Sequence, residues 1–563
     1  MTTASPRARS GGQILVDQLR IHGVDLAFGV PGESYLAVLD GLYEARDSIR
    51  FVICRQEGGA ANMADAYGKL TGRPGICFVT RGPGATNASI GVHTAFQDST
   101  PLILFIGQVA RDVVDREGFQ EIDFRRMYGQ MSKWVAQIER PERIPEYVSH
   151  AFHLATSGRP GPVVLALPED MLTEAAVVAD AGPYKRVAAH PAAADMERLR
   201  GMVAASARPV MIVGGSGWNA EACADIKAFA EANRLPVAAS FRCQDLFDNR
   251  HELYIGDLGP GVNPALAERI RSADLLLVAG ARLGEMTTQG FSLIDIPRPR
   301  QQLIHVHAGA EELGRIYQAD LPINSAMPEF ARAARGLAPV RAAWSEWSSI
   351  ARDDYTQWLR HGKMPGKVDL GEIMAWLRKR LPADSIVANG AGNYAVWVHR
   401  FYQYTGFRTQ LAPTSGAMGY GAPAAVAAKI LYPQRTVVSF SGDGCFLMNG
   451  QELATAMQYD AAVLFIVVNN GMYGTIRMHQ ERHYPARVSG TALSNPDFAQ
   501  LARAYGAHGE TVEATAEFEP AFERALGSGK AALIELRIDP EAITPRTTLS
   551  ALRAEALKAQ AKA

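Results

Sequence analysis

The chain has 563 residues, 47% apolar and 20% charged, with 57 basic against 58 acidic residues and a net charge of −1. At roughly 100–200 residues per domain this length makes about three domains, and the balanced charge removes the electrostatic case for a nucleic-acid binder or a polybasic membrane protein. Cys54, Cys77, Cys223, Cys243 and Cys445 form no C-x-x-C pair, which argues against a disulfide framework or a structural zinc and fits a reducing cytoplasm.

The N-terminal stretch from Met1 to Gly12 is short and polar, without the apolar core of a secretory signal. No run of about 18 apolar residues offers a membrane span. From there short apolar runs alternate with helical segments, the pattern of parallel sheets covered on both faces. Strands are predicted at Phe51–Cys54, Gly75–Val79, Leu102–Ile106 and Val163–Leu167, with helices at Gly11–His22, Gly58–Leu70 and Ile144–Thr156. This first domain is expected over 1–172. Met171–Ala194, rich in Ala with Pro183 and Pro191, reads as a linker. A second domain, 195–336, has strands at Val210–Val213, Val237–Ala239, Leu275–Ala279 and Leu303–His307. Leu337–Lys367 reads as a second linker, whose Trp344, Trp347 and Trp358 are expected to pack partly against the body. The third domain, 368–540, has strands at Ser385–Asn389, Thr436–Phe440, Val463–Val468 and Ala532–Leu536. The stretch Pro540–Ala563 lacks a large apolar face, so 541–563 reads as a mobile tail or partly ordered lid. The expected class is therefore α/β, three consecutive doubly wound parallel-sheet domains. The first and third are similar in length, as two copies of one fold would be, although no sequence identity ties them.

The strongest chemical signal lies in the third domain. Gly442-Asp443-Gly444 follows one predicted strand, with Gly442 expected to break it. A helix over Asn449–Tyr459 crosses to the next strand, which ends at Asn469-Asn470. Two strand ends joined by one crossover place Asp443 and Asn470 at the same edge of a parallel sheet, where open α/β sheets bind ligands. Gly442 and Gly444 let the backbone approach a phosphate. Asp443 and Asn470 supply hard oxygens, and a carbonyl from the following loop makes a third for Mg²⁺. A second signal is Arg55-Gln56-Glu57-Gly58-Gly59-Ala60. Glu57 leaves a buried strand and opens a helix, where partial desolvation suits a carboxylate to carry or share a proton. Alone it fits equally a first-turn glutamate opposing the helix dipole.

Taken together, G-D-G…N-N and R-x-E-G-x-A resemble the thiamin-diphosphate-dependent enzymes of the acetolactate synthase, pyruvate oxidase and benzaldehyde lyase group. The resemblance runs along nearly the whole chain, through Phe28-Gly29-Val30-Pro31-Gly32-Glu33, Arg81-Gly82-Pro83-Gly84-Ala85-Thr86-Asn87, Phe119-Gln120-Glu121, Gly416-Ala417-Met418-Gly419-Tyr420-Gly421 and Gln451-Glu452-Leu453-Ala454. It implies two thiamin-diphosphate-binding folds flanking a Rossmann-like central domain. It implies that Glu57 is the activating glutamate, bonded to N1′ of the cofactor's aminopyrimidine, and that Met418 supports the bent cofactor. Asp443, Asn470 and the Met472 carbonyl are implied as Mg²⁺ ligands. Asn393 and Tyr394 are implied to grip the diphosphate, with Gly416, Gly442, Gly444, Cys445, Tyr473 and Gly474 completing the cofactor contacts. The substrate wall would be drawn from Val30 to Glu33 with Val30 and Gly32, and from Gln108, Phe119 and Gln120.

Three positions depart from the acetolactate synthase pattern. Met286 in Arg282-Leu283-Gly284-Glu285-Met286 stands at a carboxylate-reading arginine, Glu169 stands at a lysine, and His479 stands at a tryptophan that sizes the second substrate. Arg477 and His479 are open either as replacement cations, His479 only when protonated, or as surface residues of a helix start. The implied activity is decarboxylation of a 2-oxo acid with carboligation. A 2-oxo acid decarboxylase, an acyloin lyase like benzaldehyde lyase and, more remotely, a non-catalytic homologue are the alternatives. The implied assembly is a homodimer or homotetramer with sites at subunit interfaces; a small regulatory subunit is left open. The turns Gly214-Gly215-Ser216-Gly217 and Gly280-Ala281-Arg282 suit FAD or a generic tight turn equally.

Overall fold

The computed structural model describes residues 7–562, and the chain divides after Val187 into two compact units. The first unit holds a six-stranded sheet of β1 (Leu26–Gly29), β2 (Arg50–Ile53), β3 (Gly75–Val79), β4 (Leu102–Gln108), β5 (Trp134–Gln137) and β6 (Pro162–Pro168). Its order is β2-β1-β3-β4-β6-β5, with every pair parallel. The β4 and β6 strands are buried at every position, as strands covered on both faces must be. The expected linker after this sheet starts later than its composition suggests. Met171 and Leu172 are buried in a short helix, Glu169–Thr173, and Ala175–Ala176 pairs antiparallel with Arg9–Ser10. The buried Arg9 then holds Asp17 at 2.6 Å and Asp180 at 2.7 Å, tying the stretch down further.

The second unit carries two sheets. The central one comprises β7 (Pro209–Val213), β8 (Val237–Ala239), β9 (Tyr254–Asp257), β10 (Leu275–Ala279), β11 (Gln302–His307) and β12 (Leu321–Asn324). Its parallel order, β9-β8-β7-β10-β11-β12, is that of the dinucleotide-binding folds. The predicted linker 337–367 contains a helix, Ser345–Trp358, whose buried face consists of Ser348, Ala351 and Tyr355 and is too small to read as an apolar stripe. The tryptophans do pack: the Trp344 and Trp347 indoles donate to the carbonyls of Arg234 and Pro209.

The last sheet comprises β13 (Ile386–Asn389), β14 (Gln410–Leu411), β15 (Val437–Gly442), β16 (Leu464–Asn469), β17 (His508–Val512) and β18 (Ala532–Arg537). Its parallel order, β14-β13-β15-β16-β18-β17, repeats that of the first sheet. Gly442 does not break its strand; it still pairs with Val468, and the chain turns only at Asp443 into a one-turn helix. The crossover helix is shorter than expected, Glu452–Gln458. The stretch read as a mobile tail carries a docked helix, Leu549–Gln560, with Leu549 and Leu552 packed against Met478 and Ile543. No helix among the described residues is long and apolar enough to cross a membrane.

Candidate active site

In the last sheet the strand order reverses between β13 and β15, and such a reversal opens a crevice at the carboxyl ends of the strands. A cavity of about 250 Å³ lies there. Every cofactor and metal candidate of the third domain, from Asn393 to Gly474, lines it. Three helices begin at its wall: Asp443–Phe446, Tyr394–Phe401 and Gly474–His483. None is capped by the side chain of its N-cap residue; the Gly444 N–H goes to Asp443 and the Ala395 and Val396 N–H groups go to the Gly392 and Asn393 carbonyls, and the other first-turn N–H groups have no side-chain cap. Such N–H groups and the helix dipoles behind them suit a diphosphate. At Gly444 a Cβ would come within 2.5 Å of the Tyr473 ring, so glycine keeps this wall open. Gly416 sits at φ +69°, the left-handed region that favours glycine.

The metal candidates pass a test of donor chemistry. Asp443 is 3% exposed, and burial raises its carboxyl above the ordinary range. No cation pairs with it among the described residues. One of its oxygens accepts the Gly444 N–H at 2.9 Å; the other accepts the Gly471 N–H at 2.9 Å and the Asn495 amide at 2.8 Å. Asn470 lines the same cavity, and its side-chain oxygen accepts the Met472 N–H at 3.2 Å. A desolvated carboxylate held by neutral donors, with an amide oxygen beside it, is a donor set fitting a hard divalent cation.

Sequence reasoning missed the roof of this cavity. Ile538, Ala542 and Ile543 line it, having followed β18 to the same sheet edge. The Asn393 amide donates to the Ile543 carbonyl at 3.1 Å and accepts from the Thr475 hydroxyl at 2.9 Å, so this side chain joins the C-terminal stretch to the Gly474–His483 helix. The strand-end rule, applied to β18 as it was to β15 and β16, points to these residues. Asn495 offered no such signal. The Tyr394 hydroxyl lies 3.4 Å from Cys445 Sγ. Met418 lines the cavity and packs partly buried against the domain core.

In the first unit Glu57 opens the Glu57–Thr71 helix after β2, with the Gln56 side chain capping Gly59. Asn87 donates to Glu57 Oε2 at 2.9 Å, and Gly84 leaves space where its Cβ would stand 3.3 Å from Oε1. Val30 and Gly32 follow β1 at the same sheet edge. Phe119 is 71% exposed, and Gln120 next to it has φ +65°. Gln108 is buried and committed to its own loop, donating to the Ile122 carbonyl at 2.9 Å and accepting from the Val109 N–H at 3.0 Å. Arg477 is committed too, with two N–H groups on Glu481 at 3.0 and 2.7 Å. His479 is exposed, yet partial desolvation, Arg482 and His483 lower its pKa and favour the neutral ring. In the central domain a Cβ at Gly215 would collide with the Gly280 carbonyl, so these glycines answer to backbone packing.

The three domains match those of one family. Residues 9–127 match the thiamine pyrophosphate enzyme N-terminal TPP binding domain, 196–334 the central domain and 390–536 the C-terminal TPP binding domain. The chain belongs to this family and is a thiamin-diphosphate-dependent enzyme. Its relatives include the acetolactate synthase large subunit of Corynebacterium glutamicum, 32% identical over 543 residues, covering 93% of this chain and 86% of the relative. The acetolactate synthase isozyme 2 large subunit of Escherichia coli is 30% identical, covering 94% of this chain and 96% of its own length. A probable acetolactate synthase large subunit of Methanocaldococcus jannaschii is 30% identical, covering 95% and 93%.

Proposed function

We propose that the protein decarboxylates a 2-oxo acid and joins the remaining acyl unit to a second carbonyl compound, using thiamin diphosphate and Mg²⁺. The observation that carries this reading is the single cavity that gathers three uncapped helix starts and the Asp443–Asn470 oxygen pair. Bound thiamin diphosphate supplies the nucleophilic carbon and electron sink for breaking the bond beside the carbonyl. Asp443, Asn470 and the Met472 carbonyl would hold Mg²⁺, and the helix starts would hold the diphosphate. Met418 would brace the rings from below. Glu57, steadied by Asn87, would hold a proton at the pyrimidine nitrogen. In this reading Glu57 of one subunit serves the diphosphate bound by another, and the working unit is at least a homodimer, an arrangement that the resemblance to the family supports.

A simple decarboxylase or an acyloin lyase is a second reading, supported by the side chains at the changed positions. Met286 is uncharged, Glu169 pairs with Arg81 at 3.0 Å, Arg477 is bound to Glu481 and His479 is biased to neutral. None offers an uncommitted cation for an acceptor's carboxylate. Product analysis with pyruvate, thiamin diphosphate and Mg²⁺ distinguishes the readings. Carboligation to a keto acid yields acetolactate, and decarboxylation alone yields acetaldehyde. No cofactor-dependent CO₂ release from pyruvate, 2-oxobutyrate or phenylglyoxylate would overturn the carboligase and decarboxylase readings; the acyloin lyase, which releases no CO₂, is tested by cleavage of benzoin to benzaldehyde, and no cleavage would overturn it too.

A further inference from the structure

Arg81 follows β3 and its side chain is 8% exposed, although a guanidinium is a charged group. Buried charges persist where they are paired and bonded. Here Nε donates to the Phe119 carbonyl at 3.0 Å, Nη1 donates to Glu169 Oε2 at 3.0 Å, and Nη2 lies 3.7 Å from Glu33 Oε1. One planar group thus ties together the loops that follow β1, β3, β4 and β6. The Phe119 turn is braced at other points as well. Glu121 closes it on the Gly118 and Asp115 N–H groups at 2.9 and 2.8 Å, and Gln108 holds its far end at Ile122. Gly82 leaves room for Gln120, whose Cβ would stand 2.7 Å from a Cβ built there. Two residues on, Gly84 faces Glu57. The backbone of the turn is therefore fixed to the helix start that also shapes the surroundings of Glu57, while the Phe119 ring is left exposed.

We infer that Arg81 is a positioning residue: it fixes the Phe119–Gln120 turn at the Glu57 edge as one wall of the site that receives the carbonyl substrate. The wall's role in substrate binding rests on the proposed function; the clamp itself does not. A lysine cannot replace it fully, since a point charge does not span three directions as a guanidinium does.

The test uses full-length protein loaded with thiamin diphosphate and Mg²⁺, comparing wild type with Arg81→Met, Arg81→Lys and Glu169→Gln. Amide hydrogen exchange over residues 113–123 reads the loop. KM and kcat for the fastest 2-oxo acid of the panel above read the wall, and exchange of the cofactor's C2 proton reads the Glu57 chemistry. Arg81→Met is expected to speed amide exchange in this loop and to raise KM at least about tenfold, because small misplacements of a binding wall are costly. The C2-proton exchange should stay near wild type and kcat should change much less than KM. Arg81→Lys should recover part of the effect, and Glu169→Gln should show a smaller shift in the same direction. Unchanged loop exchange and KM would overturn the inference. So would a parallel fall in cofactor affinity and C2 exchange, which marks a general structural role. If Arg81→Met does not fold, Glu169→Gln decides on the same readouts. If no 2-oxo acid turns over, the proposed function fails while the loop exchange still decides the clamp.

Discussion

Burial pushes the Asp443 carboxyl above its ordinary range, so folding without a metal makes its ionised form less favourable than in the unfolded chain. A raised carboxyl contributes stability at low pH that is lost as the pH rises through the raised value. At neutral pH the ionised Asp443 is thus a cost that a bound cation removes, and Mg²⁺ with thiamin diphosphate should raise the melting temperature. Asp443→Ala should abolish cofactor binding in isothermal titration, since it would remove the one charged oxygen proposed to hold the metal; unchanged affinity would refute the assignment. This part of the site was legible because Gly442, Asp443, Asn469 and Asn470 sit at the ends of apolar strands, where position follows from the strand itself. The commitments of Gln108 and Arg477 were not legible. They depend on where Ile122 and Glu481 come to rest, and neither spacing marks a bond in advance.

Among elements, the C-terminal helix shows how much of the cavity depends on distant sequence. Glu481 is 1% exposed and accepts from Arg553 at 2.9 and 2.7 Å, from Arg477, and from the Ala486 N–H at 3.0 Å. The Arg553 bonds come first among the causes that hold its carboxyl down at about 2, against an ordinary 4.5. A lowered carboxyl contributes stability that is present above the unfolded value and lost as pH falls from there toward the folded one. Glu481→Gln should therefore destabilise at pH 7, by about 2–3 kcal/mol. That is below the 3–5 kcal/mol typical of a fully buried pair, because Arg553 keeps 34% of its side chain exposed. Thermal melts should show the difference shrinking between pH 4.5 and 2. A constant difference would assign the effect to packing. The sequence hid this helix because only Leu549 and Leu552 are buried on it. It hid β12 and β17 for a related reason. Leu321-Pro322-Ile323-Asn324 alternates buried with exposed positions at a sheet edge, and His508–Val512 is half-exposed along most of its length.

At the scale of the molecule, the first and last sheets share one strand order and the central sheet has the dinucleotide-fold order. The alternation of strands and helices foretold three parallel sheets. The repeat of the outer two was foretold by the family resemblance and their similar lengths, not by the alternation, since strand order is set by crossovers that leave no mark on composition. If one subunit's Glu57 serves another's cofactor, dilution to a sedimentation-verified monomer should abolish activity, and a fully active monomer would contradict the shared site. The most direct test of the account is the rate at which the C2 proton of bound thiamin diphosphate exchanges with deuterium, followed by NMR in wild type and Glu57→Gln. In the proposed mechanism the step requires both the Glu57 carboxylate and the cofactor, and it is independent of substrate identity. The substitution keeps the shape and the Asn87 contact while removing the proton relay, which is typically worth about 10²–10⁴-fold. The account predicts exchange slowed by at least about a hundredfold with cofactor affinity reduced much less. Wild-type exchange in a folded, cofactor-loaded Glu57→Gln protein would contradict it and leave Glu57 only the helix start it occupies.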